Sequence, residues 1–411
     1  MGGIFPVNRR YGRNFVILLI DAVTYAAFCA LWDVNTVIPL FLDQIGSPLW
    51  MIGAANTIKQ LGYLIPQPIV AARLHSLKSL AGFVRTVMLL DRPQLLVFVL
   101  VLVFTSNKVA LLVIFFICFT FLCFGEGTIL IAWMDLMGRT VEPFYRGLFW
   151  GAIQVIGGLV ALAAGFVITH VLDNPRFPYP GNFITIFGFG AALLLPSLVF
   201  FKAAEEPAFM STGNRPGWGT SFIRCLDNRQ FMLLIFVQHL AGYDSLAIPY
   251  YIIMVRHKFL WLVQYTGRFV LLSIIGGVVG GILWAVLSDK QESYKTVSLI
   301  TFIKVCAAAL FLTTQIVHSR TAISLCLGLG FVLVGMATAA WVGFVNYILN
   351  ITTHAERPFY LALDNAILLP VAFFPVLGSF IRGYAGDLTL YVITTIAMTI
   401  AFILSLQMKP K

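Results

Sequence analysis

Charge is what this chain has least of. Lys, Arg, Asp and Glu make up 11% of its 411 residues, against about 25% in a soluble domain, while 60% are hydrophobic and the mean hydropathy is +0.92. That composition excludes a water-soluble globular protein and predicts an integral membrane protein. Cysteine is scarce as well. Cys29, Cys118, Cys123, Cys225, Cys306 and Cys326 show no paired or metal-ligand spacing. Five of them fall in apolar runs and read as small buried hydrophobes. Enzyme signatures are missing too: no His-Glu-x-x-His, no nucleophile elbow, no phosphate-binding Gly loop with its Lys, and no haem or cluster spacing. The expectation is a protein that is not an enzyme, holds no metal or cofactor, and does not itself hydrolyse ATP. The net charge of +10 does not point to nucleic acid, because the basic residues lie mostly in short loops between apolar runs.

Those apolar runs are what the chain has in abundance. Stretches of around 20 residues, separated by turn or charge clusters, predict spans at 15–42, 49–72, 80–104, 109–136, 146–172, 181–201, 230–255, 259–287, 296–316, 321–349, 358–383 and 388–407. Between the sixth and seventh lies a polar gap with Glu205, Glu206, Pro207, Gly213, Pro216 and Gly217. The predicted organisation is all-α and polytopic. Twelve transmembrane helices form two pseudo-symmetric six-helix halves, 1–201 and 230–411, joined by a cytoplasmic linker at 202–229. The basic head Asn8–Arg13 has the look of a signal peptide. The apolar run behind it carries Asp21 and continues to Leu42, longer than a signal core of about 7–15 residues, so it reads as the first span. Pro39, Pro66, Pro68, Pro93, Pro249, Pro370 and Pro375 fall inside spans, where prolines mark kinks. With the N-terminus inside, sixteen Lys and Arg lie on the inner side and six on the outer. That bias places both termini in the cytoplasm of a multi-pass protein of the cell (plasma or inner) membrane.

Within the spans sit Asp33, Lys59, Arg92, Glu126 and Asp244. A charge at the centre of a bilayer costs roughly 2.5–3.5 kcal/mol even on the lenient insertion scale, so it persists where it faces protein or water. Lys59 shares a polar stripe with Asn56, Tyr63 and Gln67. For Lys59 and Arg92 the expected partners are Asp33, Asp91 or Glu126, because buried charges are normally paired.

The two halves also carry a repeat. Trp133, Met134 and Asp135 close the fourth span, and Arg146 follows Asp135 by eleven residues. Asn346 closes the tenth, and Arg357 follows it by the same eleven. Asp135 with Arg146, and Asn346 with Arg357, are predicted to form matched polar clusters. With these features the chain resembles the major facilitator superfamily over nearly its whole length. The run Gly281 to Lys290, with Asp289 as its acid, is similar to the family's loop motif after helix 8. The loop after helix 2, Ala72 to Lys78, lacks the Asp and the second Gly.

The resemblance implies that spans 1, 4, 7 and 10 line a central cavity. Its candidate lining is Asn35 on span 1, His239, Tyr243 and Tyr250 on span 7, and Trp341 and Asn346 on span 10. Glu126, Asp33 and Asp244 are the candidate proton-coupling carboxylates, with Glu126 first. Lys59, Arg92, Asp135, Arg146, Asp289 and Arg357 are candidate structural or gating charges. The small-residue run Gly276 to Gly281 is read as close helix packing, with span 5 as the partner the family implies. The expected function is secondary active transport of a small solute by alternating access, driven by an ion or proton gradient, in a monomer whose surroundings are the lipid bilayer. The competing readings are a non-transporting membrane assembly factor and a lipid flippase on the same scaffold.

Overall fold

In hydrocarbon every backbone polar group must be bonded internally, which leaves a chain of this composition the choice of helix or closed barrel. The computed structural model describes residues 9–74, 77, 79–203, 206, 227–288, 293–353 and 357–409, and among these every regular element is helical. Span 1 is Arg9–Leu31 continued by Val37–Gln44. Span 2 is Leu49–Leu64 and Pro66–Arg73, and span 3 is Leu80–Asp91 and Pro93–Phe104. Span 4 is the unbroken Lys108–Thr140. Span 5 runs from Arg146–Ala152 through a π-turn, Ile153–Gly157, into Gly158–Leu172, and span 6 is Gly181–Phe200. Span 7 is Arg229–Ala241 and Ile248–Lys258 around a 3-10 segment, Gly242–Leu246. Spans 8 and 9 are Thr266–Ser288 and Ser293–Thr313. Span 10 is Arg320–Thr338 and Trp341–Ile351. Span 11 begins at Arg357–Leu368, passes Leu369–Phe373 and enters Phe374–Ser405. That last element turns at Gly386, whose φ of +81° a residue with a Cβ rarely adopts, and span 12 follows the turn. Among the described residues ten helical stretches, several of them containing these breaks, are long and apolar enough to cross a membrane. One of them, Tyr360–Ser405, holds two spans, and span 2 is not among the ten. The twelve spans stand where the hydropathy places them.

Prolines set most of the breaks. A proline has no N–H and clashes with the preceding turn, but at the first positions of a helix both defects are harmless. Pro66 and Pro93 open their segments, and Pro249, Pro370 and Pro375 stand in the first two positions of theirs. Span 1 breaks differently. Asp33 Oδ1 accepts from Asn35 N at 3.0 Å and from Thr36 Oγ1 at 2.7 Å, so the side chain replaces helical bonds at the break.

The chain divides into two compact units, Met1–Val37 with Ile58–Gly213, and Ile38–Thr57 with Asn214–Lys411. In the first, span 1 packs along spans 5 and 6, and span 3 along span 4. Spans 2 and 4 approach until a Cβ on Gly127 would stand 2.0 Å from the Gly62 carbonyl oxygen. In the second, span 9 lies along spans 10 and 12, and spans 8 and 10 make the corresponding close approach. A Cβ on Gly276 would stand 2.0 Å from Val332 O, and one on Gly335 would stand 1.9 Å from Ser273 O. Within this unit the Gly276 run makes its tight contact with span 10. The reason is reciprocal. Span 10 supplies its own glycine, Gly335, where the backbones meet.

Within the second unit, the residues from Ile38 to Thr57 are held by several contacts. Thr57 Oγ1 donates to Ala372 O at 2.7 Å, Asp43 lies 2.8 Å from His257 and 3.5 Å from Arg256, and Gly53 stands against Pro375. Large apolar side chains such as Phe104, Val109 and Phe121 are exposed, as expected of surfaces that face lipid.

Candidate functional site

The first unit gathers most of the buried charge. Arg92, at the break of span 3, is 1% exposed. Its Nη1 lies 3.0 Å from Asp21 Oδ1 on span 1 and its Nε 3.3 Å from Glu126 Oε1 on span 4. It also donates to the Ser197 hydroxyl on span 6. Trp133, two turns beyond Glu126 on the same helix face, donates Nε1 to the other Asp21 oxygen at 3.0 Å. Asp91, the residue before Arg92, is 2% exposed, and neither of its oxygens receives a hydrogen bond from another side chain. Its carboxylate lies against the backbone of Gly125, where a Cβ would stand 2.2 Å from Oδ2. Three carboxylates and one guanidinium therefore meet at one depth, drawn from spans 1, 3 and 4. Of the three partners that the sequence offers Arg92, Glu126 is the one it bonds, and Asp21 is added.

Beside this cluster is a narrow cleft of about 20 Å³, room for one water molecule. Span 1 supplies Tyr25, Phe28, Cys29 and Trp32, span 4 supplies Phe119, Leu122, Cys123 and Glu126, and span 2 adds Lys59 and Tyr63. Each set follows the three- and four-residue spacing of one helix face. Tyr25 and Tyr63 bond through their hydroxyls, and Trp32 donates Nε1 to Phe187 O at 3.1 Å. Among the described residues no carboxylate lies within ion-pair distance of Lys59; Asp33 acts on it only at longer range. Glu126 belongs to both cleft and cluster. Asn35 is half-buried, its backbone N–H bonded to Asp33.

The second unit places the other candidates apart from one another. Asp244 Oδ2 pairs with Lys304 Nζ at 2.7 Å, and that ammonium also donates to Ala241 O at 3.0 Å, across the 3-10 segment of span 7. His239 and Tyr243 pack edge-on against Phe374. Tyr250 is fully buried, donates to Pro375 O at 2.6 Å and lies beneath the Arg382 guanidinium, so its contacts are those of a packing residue. Trp341 is 62% exposed, and Asn346 is half-buried.

The repeat at the span ends is present in altered form. Arg146 Nη2 donates to Gly138 O at 2.5 Å, and Arg357 Nη2 donates to Leu349 O at 3.1 Å, each eight residues back. Both arginines cap the last carbonyls of the preceding span, which need partners where a helix stops. The expected pairing of Asp135 with Arg146 is corrected: Asp135 pairs with Arg139 one turn away, at 2.5 Å. Arg139 reaches Glu206 at 3.5 Å, and Glu206 in turn accepts from Leu80 N at 2.7 Å at the start of span 3. Asp289 and most of the 202–229 linker lie outside the described residues.

Sequence reasoning used Asp91 only as a pairing partner and missed Asp364. Asp364 is buried on span 11, and Gln238 donates to it. The signal was there in both cases, since each is a lone acid inside an apolar run. No grouping of His, Cys, Asp and Glu suited to a metal occurs among the described residues.

No family model matches the chain, and no curated protein matches it in sequence. Solved structures do. The nucleoside transporter NupG superposes with a TM-score of 0.70 at 12% identity, covering 95% of this chain and 98% of its own. The E. coli fucose:proton symporter FucP gives 0.58 at 15% identity, covering 98% and 100%. A bacterial homolog of the human lysosomal transporter Spinster gives 0.65 at 12%, covering 97% and 95%. At this identity the likeness is one of fold, which the chain shares with these three transporters.

Proposed function

We propose that the protein is a secondary active transporter of a small solute, driven by a proton gradient and working by alternating access. The observation that carries the reading is the cluster around Arg92. With Asp21, Asp91 and Glu126 all ionised, one guanidinium would face three carboxylates and the group would hold a net charge of −2 out of water. Each uncompensated buried charge costs several kcal/mol, so protons that join or leave this group change the energy of the fold around it. A carrier that draws on a proton gradient needs that property. A static assembly scaffold has no need of surplus acid. Asp91 and Glu126 are the proposed proton carriers, with Arg92 as the fixed counter-charge. Asp33 and Asp244 serve structure in this reading, since one closes the break in span 1 and the other pairs with Lys304. One of the neighbours of the same fold is a fucose:proton symporter, which agrees with a proton as the coupling ion.

The test is a solute-uptake screen in proteoliposomes with and without an inward proton gradient. Accumulation that requires the gradient is expected. Asp91→Asn and Glu126→Gln should each abolish accumulation while leaving solute exchange largely intact. Uptake indifferent to the gradient would remove protons from the mechanism.

A further inference from the structure

We propose that Asp364 on span 11 and Gln238 on span 7 form a proton-binding site of the second unit, in which the Asp364 carboxyl is a neutral acid closed on the Gln238 amide. The site stands on its own geometry and does not depend on the function proposed above.

Asp364 is 6% exposed. Its helix, Arg357–Leu368, packs on the span 7 helix Arg229–Ala241 and the span 10 helix Trp341–Ile351. Leu363 beside it belongs to the apolar core of this unit. Gln238 donates to the carboxyl from span 7. The other oxygen of each group, Asp364 Oδ1 and Gln238 Oε1, is buried and receives no hydrogen bond. Folds rarely leave one buried acceptor in that state, and here two stand on a bonded pair.

One proton removes both defects. A carboxylic acid and a primary amide are both planar, and each offers the other one donor and one acceptor, so they can join through two hydrogen bonds in a ring. Because Oδ1 is the orphan, Gln238 Nε2 donates to Asp364 Oδ2. The acid proton on Oδ1 then donates to Gln238 Oε1, and no oxygen is left over.

No cation competes for the carboxyl. Among the described residues no charged group acts on Asp364. The titratable groups on the helices around it are engaged elsewhere or exposed. His239 rests edge-on against Phe374, and Arg229 is exposed at the start of its helix. Tyr347 donates to Gln230 Oε1 at 2.9 Å. On span 11 itself Arg357 caps Leu349 O, and the Tyr360 hydroxyl accepts from Asn228 Nδ2 at 3.3 Å. An ionised Asp364 would be a buried charge with one amide bond and no counter-charge, which is the costly state. Asp244 in the same unit is the contrast, because Lys304 pairs with it.

The test is infrared spectroscopy of the purified full-length chain at neutral pH. An aspartate contributes either the C=O band of a carboxylic acid or the bands of a carboxylate, so subtracting the Asp364→Asn spectrum from that of the unaltered chain decides which. The difference should hold an acid band worth one carboxyl per chain and no carboxylate band. A carboxylate band in place of the acid band would overturn the proposal. The amide of Asp364→Asn can keep both bonds of the ring, so this variant should fold. Gln238→Leu tests the pairing without altering the acid. Its acid band should move to higher frequency as the carboxyl loses its partner, and an unshifted band would overturn the shared site. The acids of the Arg92 cluster are present in every sample and cancel in the differences, so either result leaves the function proposed above untouched.

Discussion

The two units contain similar helices but treat buried charge differently. In the first, Arg92 meets Asp21 and Glu126 with Asp91 alongside, all at most 7% exposed, and a separate ammonium, Lys59, faces a cleft. In the second, Lys304 pairs with Asp244, 11% and 17% exposed at the side chains, Arg382 pairs with Asp387, 9% and 21% exposed, and Asp364 is bonded to the neutral Gln238. The second unit is balanced, one cation to one anion, with one further acid held by an amide. The first has more acid than base in its core. A balanced pair has nothing to gain from a proton, whereas an acid-rich cluster does, so under the proposed function the coupling chemistry belongs to the first unit.

The largest effects should ignore that contrast, because they come from packing that both units share. Gly127→Val and Gly335→Val would each drive a side chain into a backbone carbonyl about 2 Å away. Each should cost on the order of 4–5 kcal/mol and leave little monodisperse protein on gel filtration. Survival of either variant would mean that the close approach is adjustable in that unit.

Next in size is the charge contrast. Arg92→Gln leaves buried carboxylates without their cation and should cost about 3–5 kcal/mol. Lys304→Met leaves Asp244 with partial access to water and should cost about 1–3 kcal/mol. Thermal unfolding in detergent, followed by intrinsic fluorescence, should show the first variant to be the more damaged. Equal losses would erase the distinction between the units.

The repeat predicts a smaller, symmetrical pair of effects. Arg146→Gln and Arg357→Gln each remove a charged cap from helix-end carbonyls and should lower stability by about 1–2 kcal/mol in the same assay. A loss in one and not the other would show that only one copy of the repeat is structural. Smallest of all is Trp341→Ala, which should shift stability by no more than about 0.5 kcal/mol, because the ring is largely exposed. A larger shift in stability, or lost uptake, would restore Trp341 to the binding site.

The candidate site was only partly legible in the sequence. Glu126 and Arg92 stand out as charges in apolar runs, and helical spacing places Glu126 on the face of Trp133. Lys59 was read as a structural charge because span 2 was not expected to wall a cavity, yet its turn with Tyr63 faces the cleft. Tyr250 fits a polar stripe on paper, but burial and its bond to Pro375 O make it part of the packing. Spacing says which residues share a face and is silent on what that face meets.

Hydropathy and proline placement alone determined the twelve spans and most of their breaks. A run of apolar residues must be helical in lipid, and a proline without an N–H can only begin a helical segment cleanly. Charge counts alone produced the expectation of cytoplasmic termini. Tertiary structure decided the partners. Arg92 bonds one residue 71 positions away and another 34 away, and four spans, 1 to 4, had to come side by side before a cluster and a cleft existed. Local rules act over a turn or two of helix. Which helices meet depends on how close two backbones can come, and that was settled by glycines such as Gly127 against Gly62 and Gly335 against Ser273.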